Sequence, residues 1–405
     1  MSKNIVIISA VYPPEPVVSA RLSSDLYHNL KDRGLSVRVI HPCPTRPNGF
    51  VFDSKQTLSP DEIVTDSFTC PQSSLMGRIR ESFSFGRSCS EYIAKHHEEI
   101  ALIYANSWPM FSQKAIVMTA RKYGIPCIIH VQDVYPESLS NKMTGLKKEM
   151  VQSLILPMDK YILGNCTKVV AISEKMKSYL VKTRDISADK VSVVINWQDE
   201  KEFMDYQIEQ KTNQKSEPLT FMYMGNIGPV AGVDLLIDAF IKANLKDAIL
   251  VIAGSGSVKE QMMKKAGGYP SIEFWEVPNG KVPEIQSRAD VMILPIKKGA
   301  ASSSIPSKLP AYMFSAKPII GCMDADSDTA DAINQAECGW VIEPENALLL
   351  AEKMKTVAAL DAAYLKENGE KALKYGLSHF SKSENLRKLT DIILTVSQKG
   401  ENRLT

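Results

Sequence analysis

Three segments in the second half of the chain carry residue types suited to holding phosphate. Gly225-Asn226-Ile227-Gly228 follows the apolar run Leu219–Met224 and leads into a segment of helical spacing from about Val233. Glycine lets a backbone approach a ligand where the first free amides of a helix point outward. Gly254-Ser255-Gly256 follows the run 249–253 in the same way. Either turn alone is equally an ordinary strand-to-helix connection, but two in one half of the chain point to a nucleotide at the carboxyl ends of parallel strands. The third segment is Ser302-Ser303-Ser304-Ile305-Pro306-Ser307-Lys308-Leu309-Pro310. Pro310 has no N–H and belongs in a first helical turn, which places the helix start near Pro306 or Ser307, with Ser307 as N-cap. Hydroxyls, free amides and the Lys308 ammonium then form a phosphate cradle. The bland alternative is a serine-capped helix with a solvated lysine.

Other constellations are weaker. Asp324-Ala325-Asp326-Ser327-Asp328 contains a D-x-D pattern and imitates the start of an EF-hand. Thr329 stands where that loop needs glycine and Gln335 where it needs its last carboxylate, so calcium binding fails. Capping and dipole matching of the helix that follows explain these acids better. Leu75-Met76-Gly77-Arg78-Ile79-Arg80, followed by Phe83-Ser84-Phe85-Gly86-Arg87, mixes basic and apolar side chains, as does the stretch from Lys142 to Leu156. Such mixtures suit an anionic bilayer and a polyprenyl-diphosphate head group, or else form a solvated helix face over a core contact.

These residues need a scaffold, and the periodicity supplies one. Apolar runs without polar alternation recur at 4–9, 37–40, 102–104, 127–131, 169–172 and 191–195. A second series follows at 219–224, 249–253, 272–275, 291–294, 318–321 and 340–342. Such runs are strands covered on both faces. Between them lie helical spacings, such as Leu22, Leu26 and Leu30 before Gly34. Two batches imply two doubly wound α/β domains. The expected division is 1–198, a linker at 199–217, a second domain at 218–380, and a C-terminal helix at 381–405 that packs back across the junction. A length of 405 residues suits two cores. A net charge of +2 argues against a dedicated polyanion binder, so no nucleic acid is expected. Seven scattered Cys without a C-x-x-C pair fit a reducing cytoplasm. The run after Lys3 reads as a buried strand and not as a signal peptide, and no apolar stretch reaches the ~20 residues of a spanning helix.

The order Gly-Asn-Ile-Gly, Gly-Ser-Gly, Pro-Ser-Lys-Leu and Lys317-Pro318-Ile319-Ile320 resembles the donor domain of GT-B glycosyltransferases of family 4. The branch it most resembles builds bacterial O-antigen and capsular polysaccharides and includes N-acetyl-L-fucosamine transferases. Tyr12-Pro13-Pro14-Glu15, Val131-Gln132-Asp133-Val134-Tyr135-Pro136-Glu137 and Val194-Ile195-Asn196-Trp197 agree in the first half, so the resemblance covers essentially the whole chain. It implies a GT-B fold, α/β, with two doubly wound Rossmann-like parallel-sheet domains facing a cleft. It also implies retaining transfer of a sugar such as N-acetyl-L-fucosamine from a UDP-sugar to a polyprenyl-diphosphate-linked saccharide. No metal or other cofactor is expected, and the location is the cytoplasm, with peripheral contact to an anionic membrane. Donor binding then falls to Gly225, Asn226, Gly228, Gly254, Gly256, Ser304, Ser307, Lys308 and Leu309, and acceptor binding to Tyr12 and Arg21. Asp133 and Glu137 stand at the acceptor end, one as base. His130 joins them as a catalytic candidate, although alone it reads as a buried, hydrogen-bonded histidine.

The sequence also departs from the family pattern. Asn226 and Ala231 replace two cations usual in relatives, and Ser303 and Ala311 replace a pair of glutamates. A UDP-sugar 2-epimerase of the same architecture and an inactive nucleotide-sugar binder are the alternatives. A Rossmann oxidoreductase is disfavoured because Val11-Tyr12-Pro13-Pro14, and not G-x-G-x-x-G, follows the first strand.

Overall fold

The computed structural model describes residues 3–45, 59–70, 74–106, 109–140, 145–209, 218–278, 280–299 and 305–401. The chain divides into two compact units, one of Met1–Asn196 with Asn385–Thr405 and one of Trp197–Glu384.

The first unit holds strands β1 (Asn4–Ile8), β2 (Val37–Pro42), β3 (Glu62–Thr65), β4 (Ile100–Asn106), β5 (Cys127–Val131), β6 (Lys168–Ala171) and β7 (Val191–Val193). They form one parallel sheet in the order β3-β2-β1-β4-β5-β6-β7. Order reverses between β1 and β4, the switch point at which doubly wound sheets open for ligands. Val6, Ile7, Leu102, Ile103, Ile128 and Ile129 are fully buried, which explains why their runs lack polar alternation. Periodicity did not reveal β3, a four-residue edge strand that is only half-buried and so carries no continuous apolar run.

The second unit repeats the design with β8 (Leu219–Met224), β9 (Ala248–Ala253), β10 (Ile272–Trp275), β11 (Val291–Pro295), β12 (Ile319–Cys322) and β13 (Gly339–Ile342). Their order is β10-β9-β8-β11-β12-β13, all parallel, with the reversal between β8 and β11.

Helices follow their spacing. Leu22, Leu26 and Leu30 are buried on the helix Val18–Asp32, and Gly34 takes φ +77° just beyond it. Within the expected linker, Lys201–Glu209 is a helix whose Phe203 is buried against Phe314 and whose Gln207 donates to the Phe314 carbonyl at 2.7 Å. The tail is two helices, Ala362–Phe380 and Lys382–Glu401, broken at Ser381, whose ψ of 144° is extended. Past the break Leu386, Leu389 and Ile393 are buried, and Thr390 donates to Asn29 at 2.9 Å within the first unit.

Candidate functional site

At the carboxyl ends of β8 and β9 the two glycine turns lock together through their backbones. Gly225 donates to the Ala253 carbonyl at 3.0 Å, Ile227 to Ser255 at 2.8 Å, and Val258 to Ile227 at 3.2 Å. A Cβ at Gly254 would sit 2.1 Å from the Gly225 carbonyl oxygen, and one at Gly256 2.2 Å from that of Ile227. Only glycine permits this approach, and Gly254 at φ +133° needs it for its backbone as well. At Gly228 an added Cβ would meet only the flexible Asn226 amide, at 3.1 Å. Asn226 is exposed, and its carbonyl accepts from the Tyr223 hydroxyl at 2.8 Å. Burial pushes that phenol up to about 12, so it is a neutral donor.

Lys308 lies across this floor. It begins the short helix Lys308–Phe314, and a Cβ on Gly225 would be 2.2 Å from its Cε. Its ammonium stands 5.7 Å over the Tyr223 ring. It has no carboxylate or hydrogen-bond partner among the described residues, and burial lowers its pKa. Among the described residues this is a desolvated cation without a counter-ion beside a glycine turn, an arrangement with the chemistry to hold an anion. Tyr312, which sequence reasoning missed, holds this helix in place. Its buried hydroxyl donates to the Met224 carbonyl at 2.9 Å and accepts the Met224 N–H at 3.0 Å, tying the helix to the end of β8. The available signal was its position four residues after Lys308, one turn along the same face.

Other donor-site expectations fare differently. Ser307 occupies the N-cap position, but its αR backbone makes no side-chain cap bond and the residue is exposed. Leu309 is fully buried and its N–H donates to the Pro306 carbonyl at 3.1 Å, so it offers a ligand neither group. Ser304 lies outside the described residues. Pro310 stands third in the helix, as its missing N–H requires. In the acidic segment, Ser327 caps Asp328–Gln335 and Asp324 accepts the Gly299 N–H at 2.6 Å.

In the first unit, His130, next to last in β5, is fully buried, and its Nδ1 lies 2.6 Å from the Tyr104 hydroxyl. Burial lowers its pKa to about 3, so it is neutral and a poor proton carrier near pH 7. Its Nε2 and the Oδ1 of Asn106, its register partner on β4, are buried without partners among the described residues. Gln132 accepts from Asn196 at 2.7 Å. Glu137, expected with Asp133 as one of two polar groups of which one acts as base, has both carboxylate oxygens engaged. One oxygen accepts from Tyr179 at 2.6 Å and the other from Arg184 at 2.6 Å. Burial opposes its charge, but those two bonds prevail and lower its pKa. Arg184, itself buried, also donates to Asp159 at 2.5 Å and to the Tyr135 carbonyl at 2.7 Å. Asp133 is exposed at the end of β5. Tyr12 is buried, stacked on His41 at 4.8 Å, and its burial raises the phenol pKa. Arg21 is exposed in the first turns of the helix Val18–Asp32. The structure therefore brings Gly225, Gly254, Gly256 and Lys308 together, while Tyr12 and His130 face the core.

Known proteins resemble this chain in sequence and in fold. The family described as Glycosyltransferase Family 4 matches residues 19–202, and Glycosyl transferases group 1 matches 205–372. The chain is 22% identical over 249 residues to the probable glycosyltransferase WbjE of Pseudomonas aeruginosa, covering 60% of this chain and 62% of that protein. It is 24% identical to the putative colanic acid biosynthesis glycosyl transferase WcaI of Escherichia coli K12, over 76% of this chain and 80% of the other. The match thus spans less than two thirds of the first relative's length. Among solved structures, Anabaena Alr3699/HepE in complex with UDP superposes with a TM-score of 0.64 at 12% identity, covering 97% of this chain and 100% of the other. A match to Glycosyltransferase Family 4 followed by one to Glycosyl transferases group 1, on two Rossmann-like parallel sheets, gives the chain the GT-B fold and the domain order of those families.

Proposed function

We propose that the protein transfers an N-acetylated deoxyhexose, such as N-acetyl-L-fucosamine, from UDP to a polyprenyl-diphosphate-linked saccharide in bacterial O-antigen or related polysaccharide synthesis. The reading rests on one observation above all: the Lys308 ammonium, without a partner among the described residues, over the Gly225–Gly254 floor. The UDP complex of Alr3699/HepE and the colanic acid role in the name of WcaI support it. In the reaction the bond between the anomeric carbon and the β-phosphate oxygen breaks, and the acceptor oxygen bonds to that carbon. With retention the acceptor arrives on the face the phosphate leaves, and its proton passes to the departing phosphate oxygen. Lys308 then stabilises the charge that develops on the diphosphate, with no metal required.

The test is calorimetric titration of UDP without Mg²⁺. Lys308→Ala should weaken binding about ten- to a hundredfold, as expected for one charge-assisted contact worth ~1.5–3 kcal/mol. Unchanged affinity would place the diphosphate elsewhere. Product that forms from a UDP-sugar without acceptor would favour an epimerase.

The acceptor's lipid end accounts for a surface of the first unit. Met76, Arg80, Phe83 and Arg87 recur at helical spacing on one exposed stripe of Leu75–His96, with Met76 75% and Phe83 56% exposed. Phe83 stacks on Phe111 at 4.2 Å, from the neighbouring helix Met110–Lys122, which adds exposed Met118. Met150 and Leu154 of the helix Leu146–Asn165 are likewise exposed, and Leu154 joins Phe111, Lys114 and Tyr161 in one groove. Apolar side chains interleaved with cations suit an anionic bilayer. Phe83→Ser with Leu154→Ser should abolish cosedimentation with anionic vesicles at low salt; no binding by the unaltered protein would refute the contact. Among the described residues no helix is long and apolar enough to cross a membrane.

A further inference from the structure

We infer that Lys259 is a second cation of the donor site and contacts the phosphate-bearing part of the nucleotide, an inference that rests on the proposed UDP-sugar donor. Lys259 opens the helix Lys259–Ala266 directly after the Gly254-Ser255-Gly256 turn, as Lys308 opens its own helix after β11. Its Nζ donates to the Gly254 carbonyl at 3.0 Å and to the Glu276 carboxylate. The contacts run without a break across the floor. Lys308 lies over Gly225, the Gly225 carbonyl oxygen abuts the Gly254 Cα, and the Gly254 carbonyl holds Lys259. Two ammonium groups therefore flank one patch of side-chain-free backbone.

The fold alone gives Lys259 little reason to be there. A cation in the first turn of a helix opposes the macrodipole. Its partner Glu276 has a side chain 78% exposed, against 16% for Lys259, and a pair with one member so solvated contributes little to stability. That asymmetry describes a cation held near the turn by a carboxylate that can swing into water. An ammonium has three donors and the described residues use two, so the third remains for a phosphate oxygen. A leaving diphosphate carries more charge than Lys308 alone offsets, and Lys259 supplies the difference.

The experiment is titration of UDP into the full-length chain and its Lys259→Met, Lys259→Arg and Glu276→Gln variants, with thermal midpoints as the control for folding. Lys259→Met should weaken UDP about tenfold and flatten the dependence of affinity on salt. Lys259→Arg should retain affinity, and Glu276→Gln should match or exceed the unaltered protein because it frees the ammonium. A salt bridge with a structural role only would lower the midpoints of Lys259→Met and Glu276→Gln together and leave both affinities unchanged. That result overturns the inference, as does a loss of affinity in Glu276→Gln equal to that in Lys259→Met. If Lys308→Ala weakens UDP and Lys259→Met does not, Lys259 fails while the donor site stands. If the unaltered protein does not bind UDP, both fail.

Discussion

Lys308 and Glu137 show how much a charged residue's role depends on what faces it. Lys308 is half-buried beside glycine backbone and has no counter-ion among the described residues, so the proposed donor can use its charge. Glu137 has both oxygens engaged by Tyr179 and Arg184, so its charge is spent on structure. Removing the cation from that cluster should be costly. Arg184→Met leaves Asp159, which burial already lifts to about 6, and Glu137 without their shared partner. Urea unfolding should show a loss of about 3–5 kcal/mol, the usual cost of breaking a buried pair; a loss below about 1 kcal/mol would show that solvent, not Arg184, compensates the carboxylates.

His130 makes a second prediction at this scale. Its pKa is about 3 in the folded chain against an ordinary 6.5. Above pH 6.5 both states are neutral at this position and its contribution to stability is fully present. As pH falls below 6.5 the unfolded chain takes up a proton that the folded chain refuses until about pH 3. Stability should therefore drop by up to ~1.4 kcal/mol per pH unit through this residue. His130→Gln should remove that part of the slope between pH 6.5 and 5, and parallel stability curves for the two proteins would contradict the burial argument.

At the scale of elements, the proposed donor site is a matter of turns held close and a helix held still. Gly256→Ala would put a Cβ 2.2 Å from a backbone oxygen that cannot yield, so the two turns must separate. The expected result is a loss of the UDP-induced thermal shift with a stability cost of about 1–3 kcal/mol. A normal shift would show that the turns do not form the floor. Tyr312 bonds the same helix that carries Lys308 to the end of β8, so the cation's position is set by a hydroxyl one turn away.

At the scale of the whole molecule, the first unit is discontinuous in sequence, taking its last helix from residues after 384. Leu386, Leu389, Ile393 and Val396 are buried there. Ending the chain at residue 384 should therefore destabilise the first unit and spare the second. Limited proteolysis should then cut within 1–196 well before 218–380, and equal rates in both would refute the assignment.

Two doubly wound sheets and all their strands but the half-buried β3 were legible because burial on both faces writes itself into consecutive residues. The glycine turns were legible because close backbone approach excludes every other side chain. Pro310 located its helix through a missing N–H. Each of these constraints acts within a few residues. The functional meaning of charged groups did not follow in the same way. Met224 and Tyr312 are 88 positions apart, Glu137 and Arg184 are 47 apart, and Lys259 meets Glu276 across 17. Which ion finds a partner and which is left for a ligand is decided by such distant encounters. Only the tertiary structure brings them about, because the free energy of a charge depends on its neighbours in space and not on those in sequence.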